Sequence, residues 1–330
     1  YFYGPNLHKY LRELKEISFA PYDAFSVGET PGVGMEMSKL LTADYRNELD
    51  MVFSFDHLET PGHVRFDDYA YDLNYLKKYF IEWMNHYGNH CWMSLFYENH
   101  DNPRMISKIN PKKEYREVLA KLLSAIQLTL RGTPFIFQGQ EIGAVNKEFQ
   151  RMDELRDIES INLYDELIET MTKEEAFKKI LAGTRDHART PMQWNDEKHG
   201  GFTTGTPWIQ NDEDYKSCNV MSQLKEDFSV LSFYKELIAL RKKYLSLIYG
   251  EVEFVGEKKK NYFSYYRIYE QQKLFIECNL SIKNMKRIVN VKGYQLLLSN
   301  YLKHGDSLRA YEVNIYKVDK FSIKLINKLV

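Results

Sequence analysis

The chain has 330 residues, enough for one large domain or two smaller ones around a sizeable core. Its 45 basic and 46 acidic side chains leave a formal charge of −1, which argues against nucleic acid or an anionic membrane as partner and favours a neutral substrate. The 3 cysteines, Cys91, Cys218 and Cys278, are far apart and odd in number, which argues against a disulfide framework or a CxxC zinc site and for a reducing, cytoplasmic compartment.

The start, Tyr-Phe-Tyr-Gly-Pro, has neither the charge nor the apolar core of a signal peptide, and no later run approaches the roughly 20 apolar residues of a membrane span. It lacks an initiator Met, as expected of a processed chain or a piece of a longer one. The spacing of Leu7, Tyr10, Leu11, Leu14 and Ile17 predicts a helix with one apolar face, feeding a short strand in DAFSVGE. Apolar runs MVFSF at 51–55, WMSLFY at 92–97 and PFIFQG at 134–139 read as further buried strands, with helices over 75–87 and 115–130 between them. Such βα repetition predicts a parallel sheet, and four units make half of an eightfold barrel with its polar residues after the strands. The stretch 147–245 reads as the barrel's last loop and outer helix, with helices near 165–182 and 227–244 and a Gly/Thr/Pro-rich loop at 200–208. After Tyr244, runs such as NYFSYYRIY, KLFIECNL, YQLLLSNY and EVNIYKV are split by charged turns. They predict a small antiparallel β-domain over 246–330, beside a barrel portion over 1–245.

Two carboxylates stand at predicted strand ends, Glu29 in FSVGET and Asp101 in SLFYENHD. Only a fold can bring residues so far apart in sequence together. Glycoside hydrolysis needs a carboxylic acid to protonate the leaving oxygen and further carboxylates to stabilise or trap the oxocarbenium-like centre. A strand-end Glu taken alone is more often a solvated or ion-paired carboxylate. The aromatic content, 15% with 25 Tyr and 4 Trp, leans mildly towards a sugar substrate, because rings stack on sugar faces as well as filling cores.

The series VGE, NHDNPR, GTPFIFQGQEIG at 132–143 and RDHARTPMQW at 185–194, in that order, resembles the signature blocks of the α-amylase superfamily, glycoside hydrolase family 13. The last two blocks together are similar to the oligo-1,6-glucosidase group of α-glucosidases. That resemblance implies an α/β fold: strands 5–8 of a (β/α)8 TIM barrel, then the β-domain. It implies Glu29 as general acid/base and Asp101 as the carboxylate that binds ring hydroxyls and stabilises the transition state, with His100 on the same sugar. It also implies that Arg185 closes the nonreducing-end pocket by pairing with an acid from the first half of the barrel. A planar guanidinium fork suits that task, and an ordinary surface ion pair is the plainer alternative. Asn99 and Arg104 flank the NHD element and are expected to position it and line the substrate. Gln138, Gln140 and Glu141 fall at the barrel mouth, with Glu141 in a supporting role, and Trp194 and Trp208 are expected to cap outer structure. No cofactor or metal is implied.

Two departures from the family pattern matter. Tyr97-Glu98 precedes Asn99 where many relatives carry another pair, so Glu98 is expected to add negative charge near the site. Neither a GFRxD-type block, which carries the nucleophilic Asp, nor the DxxxNH block before it occurs. The nucleophile, any calcium loop and the first half of the barrel are therefore expected outside these residues, and the chain alone is expected to be inactive. The parent implied is a retaining, exo-acting α-glucosidase of short α-glucosides such as isomalto-oligosaccharides, with the oligosaccharide and the missing half barrel as partners. The run ELDMVFSFDHL at 48–58 also resembles trehalose-6-phosphate hydrolases, but the net acidic ETPGHVRFDD lacks the basic cluster a phosphate needs. The basic loop that marks sucrose isomerases is absent too, which disfavours isomerisation. A noncatalytic relative, like the amylase-like ectodomains attached to amino-acid transporters, usually loses the carboxylates kept here as Glu29 and Asp101.

Overall fold

The structure, a computed structural model, describes residues 4–318, so the stretch 319–330 of the predicted β-domain lies outside the described residues. The first helix, α1 (Leu7–Leu14), ends earlier than the apolar spacing predicts and passes into a wide π-type turn over Lys15–Phe19. Its predicted apolar face is only half used. Leu7 and Leu11 pack on a small cluster of Val33, Leu41 and Val52, whereas Tyr10 and Ile17 are 60% and 64% exposed. Ion pairs hold the helix instead. The buried Glu48 accepts from Arg12 at 2.8 Å and meets His8 Nδ1 at 2.6 Å, and Lys15 reaches Asp50 at 2.8 Å.

Strand β1 (Val27–Glu29) pairs in parallel with β2 (Met51–Phe53), Glu29 opposite Phe53, and α2 (Met35–Thr42) connects them. After α3 (Leu73–Tyr87), strand β3 (Ser94–Leu95) pairs in parallel with β4 (Thr133–Pro134), across α4 (Met105–Ile109) and α5 (Lys113–Thr129). Across the seam between the pairs, Ser94 Oγ donates to Val52 O at 2.6 Å. Phe53 stands edge-on to Phe96 and Phe135, ring centres 5.1 and 4.7 Å away, and fills the space the strands enclose. Before β4, Gly132 adopts φ +150°, and a Cβ there would lie 2.5 Å from Met93 O, so only glycine admits the close approach of the two strands. These four parallel strands, each followed by helix, form half of a βα barrel. Among the described residues neither β1 nor β4 has a strand on its outer side.

The helix predicted at 165–182 is two, α6 (Ile158–Leu167) and α7 (Lys173–Gly183). The break falls at Thr172, whose side chain accepts from Glu175 N–H while the Glu175 carboxylate accepts from Thr172 N–H, a capping box that starts a new helix. Then α8 (Val220–Gln223) and α9 (Val230–Lys243) follow, the latter capped by Ser229.

A short α10 (Ser246–Tyr249) leads into an antiparallel sheet built from β5 (Glu251–Val255), β6 (Tyr262–Tyr269) and β7 (Gln272–Asn279). After β8 (Met285–Lys286) come β9 (Gln295–Ser299), β10 (Ser307–Leu308) and β11 (Val313–Lys317). The sheet order is β5-β6-β7-β11-β9, with β8 and β10 in a separate ribbon. Alternate residues of the sheet, among them Phe263, Tyr265, Leu274, Ile276, Val313 and Ile315, join one hydrophobic cluster with Leu119, Leu122 and Ile126 of α5 and Phe233 and Leu237 of α9. At the same junction two buried arginines saturate main-chain carbonyls left over at helix ends. Arg241 donates to Leu128, Leu130, Gly132 and Leu247, and Arg267 to Thr129, Leu247, Ile248 and Gly250.

Two buried histidines set an acid limit. His57 Nε2 donates to Phe96 O at 2.7 Å and His187 Nε2 to Leu181 O at 2.9 Å. Burial pulls both from an ordinary 6.5 down to about 4. The unfolded chain then binds more protons than the folded one between these values, so the contribution is complete above about pH 6.5 and is lost as pH falls towards 4. Urea denaturation of the chain is expected to lose about 2 kcal/mol for each histidine between pH 7 and pH 5. His187→Gln, which keeps a donor for Leu181 O, should remove about half of that slope; an unchanged slope would clear His187 of the role.

Candidate active site

Glu29 is the last residue of β1 and is exposed. Gly28 before it lets the strand lie against Leu49, whose Cδ1 would be 2.8 Å from a Cβ there. Thr30 ties the chain just beyond, donating through both N–H and Oγ1 to Phe53 O at 3.2 Å. The backbone on either side of Glu29 is thus fixed, while its carboxylate has no hydrogen-bond or ion-pair partner among the described residues.

Asp101 lies in a turn beyond β3 and is held on several sides. Asn99 Oδ1 accepts from Asp101 N–H at 3.0 Å and from Asn102 Nδ2 at 2.8 Å, which closes the turn. Arg189 Nη2 donates to Asp101 Oδ1 at 3.0 Å, and its Nε donates to His100 O at 2.9 Å. Arg65 Nη1 donates to Asp101 O at 2.9 Å. His100, 65% exposed in its side chain, brings Nε2 to 3.4 Å from Asp101 Oδ2.

Arg185 stands beside this group. Its Nη2 donates to Glu159 Oε2 at 2.6 Å, and its Nε remains 3.6 Å from Asp101 Oδ1, beyond hydrogen-bond reach. Glu159 Oε2 also accepts from Arg65 Nη2 at 2.5 Å, so one carboxylate oxygen joins two guanidinia. The acid expected for Arg185 from outside these residues has a counterpart inside them, in the first turn of α6.

Arg104 requires a correction. It is 2% exposed, and its guanidinium donates to Glu98 Oε2 at 2.9 Å and to Gln138 O at 2.8 Å, with the Phe137 ring 5.2 Å away. It fastens the segment from inside and does not line the substrate. The same pairing corrects Glu98. Its carboxylate is buried, satisfied by Arg104 and by Met105 N–H at 3.0 Å, and adds no free negative charge at the mouth. Gln140 spends its Nε2 on Gln127 Oε1 and the Tyr234 hydroxyl, and burial raises the Glu141 carboxyl above its usual range. Trp194 and Trp208 are 49% and 61% exposed.

The sequence reading missed Arg65, Glu159 and Arg189. For Arg189 a signal existed, since it lies four residues beyond Arg185 in the same RDHAR block. Arg65 and Glu159 carry no local signature; only the fold brings them to Asp101 and Arg185.

An exposed carboxylate at the end of β1, and beyond β3 a second carboxylate surrounded by arginines and a histidine, on a parallel half barrel, are the equipment of a barrel hydrolase. The family model described as the alpha amylase catalytic domain matches residues 1–250, and the chain belongs to that family of glycoside hydrolases. It is 37% identical over 330 residues to the oligo-1,6-glucosidase of Bacillus cereus, covering 96% of this chain and 59% of that enzyme. It is 35% identical to the trehalose-6-phosphate hydrolase of Escherichia coli (strain K12), covering 90% of this chain and 55% of that one. Among solved structures, the trehalose-6-phosphate hydrolase of Bacillus licheniformis superposes with a TM-score of 0.89 at 32% identity, covering 96% of this chain and 60% of that one. The chain thus spans about 59% of the length of the Bacillus cereus relative, and its half barrel and antiparallel sheet have counterparts in such enzymes.

Proposed function

We propose that this chain carries the acid/base portion of a retaining, exo-acting α-glucosidase of short α-glucosides such as isomalto-oligosaccharides. The observation that supports this most is the contrast between its two strand-end carboxylates: Glu29 stands free, while Asp101 is held by Arg189. A free carboxyl suits proton transfer to the leaving oxygen, then removal of a proton from the attacking water. A carboxylate gripped by a guanidinium at one oxygen suits hydrogen bonds from ring hydroxyls at the other, with His100 beside it. Arg185, tied back to Glu159, bounds the nonreducing end of the pocket. The nucleophile comes from a first half of the barrel encoded upstream of Tyr1, which also supplies strands to the open edges of β1 and β4.

Trehalose-6-phosphate hydrolysis is the second reading, favoured by the likeness to the Bacillus licheniformis enzyme. It ranks behind because the cations near the mouth are already engaged: Arg65 by Asp101 O and Glu159, and Lys108 by Glu59. A cytoplasmic location suits the cysteines, which are free among the described residues. No helix among those residues is long and apolar enough to cross a membrane.

The test is to express residues 1–330 alone and together with the upstream segment. The chain alone is expected to release no glucose from isomaltose and no p-nitrophenol from p-nitrophenyl α-glucoside, because a retaining enzyme needs a second carboxylate about 5–5.5 Å from the acid. Asp101 cannot stand in, since misalignment by an ångström costs about a hundredfold. Turnover by the chain alone would sink the reading. So would an upstream segment that carries no carboxylate able to restore activity.

A further inference from the structure

Asp101 is held less by its own strand than by an arginine from a distant loop. Of the two arginines in the 185–189 block, only Arg189 bonds the carboxylate, at 3.0 Å, while Arg185 Nε stays at 3.6 Å. One edge of the Arg189 guanidinium, Nε and Nη2, grips two acceptors in succession along the chain, His100 O at 2.9 Å and Asp101 Oδ1. A planar fork that binds a main-chain carbonyl and the next residue's side chain fixes one relative to the other, which a single-point cation cannot do. Arg65 secures the following carbonyl, Asp101 O, from another loop, but leaves the side chain alone. Oδ2 meets no arginine; its neighbour is the exposed His100 at 3.4 Å.

We infer that Arg189 is the positioning residue of Asp101: it fixes the carboxylate by Oδ1, sets its orientation against the His100 carbonyl, and leaves Oδ2 for a ligand hydroxyl. This rests on the reading of Asp101 as a sugar-binding carboxylate. The role touches no substrate, so its signature is a loss of rate through Asp101 that retained charge does not repair.

The experiment has two arms. In residues 1–330, hydrogen exchange read by mass spectrometry compares the wild type with Arg189→Met and Arg189→Lys. Exchange of the 97–104 segment is expected to quicken about tenfold in Arg189→Met while α5 and the antiparallel sheet keep their protection. Faster exchange everywhere would make Arg189 a general structural residue, and no change would overturn the inference. This arm needs no activity and stands if the glucosidase reading fails. In the assembled protein, with isomaltose as substrate, Arg189→Lys is expected to lower kcat about a hundredfold with a smaller change in KM. A Lys variant with wild-type kcat would show that charge alone suffices and would reject the positioning role.

Discussion

Glu29→Gln in the assembled protein is expected to lower the rate on isomaltose by at least about a hundredfold, because the amide keeps the shape of the side chain but has no proton to give. The sugar leaving group of isomaltose departs as a poor alkoxide without that proton, whereas p-nitrophenolate departs unaided. The loss in the glycosylation step should therefore be much smaller for p-nitrophenyl α-glucoside. The split between the two substrates is the diagnostic. It separates an acid from a residue that merely shapes the pocket, since disturbed shape would slow both. Glu29 is well suited to such a test, because among the described residues its side chain has no partner whose loss would disturb the fold. Equal losses on both substrates would remove Glu29 from the acid role.

Arg267→Met is expected to destabilise the chain by about 3–5 kcal/mol, read from urea denaturation at pH 7. Methionine fills a similar volume, so the loss would come mainly from the carbonyls of Thr129, Ile248 and Gly250, which lose this donor, while Leu247 O keeps Arg241. None of those hydrogen bonds goes to a carboxylate; the cation is balanced by the carbonyl ends of α5 and α10. Arg267→Lys should fall between, since one ammonium cannot reach all four acceptors. A loss below about 1 kcal/mol for Arg267→Met would mean that the carbonyls find other donors.

The parallel half barrel was legible because its strands are short apolar runs separated by stretches that keep a helical 3.6-residue period. The regular strands are much shorter than those runs: MVFSF yields three paired residues and WMSLFY two, because pairing lasts only while a neighbour runs alongside. The break between α6 and α7 was written in the sequence as TKEE, yet the apolar spacing on both sides masked it. Glu98 and Arg104 show the opposite difficulty. Charged residues beside a motif suggest site electrostatics, and only the fold reveals that they neutralise each other inside the protein. Glu29 does end its strand, whereas Asp101 lies in a turn beyond β3, and the hold on it was not legible. Arg65 and Arg189 come from 36 and 88 residues away along the chain, and no spacing rule connects loops at such distances.

The antiparallel sheet does not sit beside the barrel as a separate body. Tyr265 and Thr129 share a hydrogen bond of 2.7 Å between their hydroxyls, Asn300 Nδ2 donates to Val118 O at 3.0 Å, and the inner rows of β6, β7 and β11 are packed into the same cluster as α5. Recombination between relatives at the boundary near residue 245 would therefore cut through one packed interior, joining a helix shaped for one sheet to a sheet shaped for another helix. Viable chimaeras are expected to exchange α5, α9 and the sheet together.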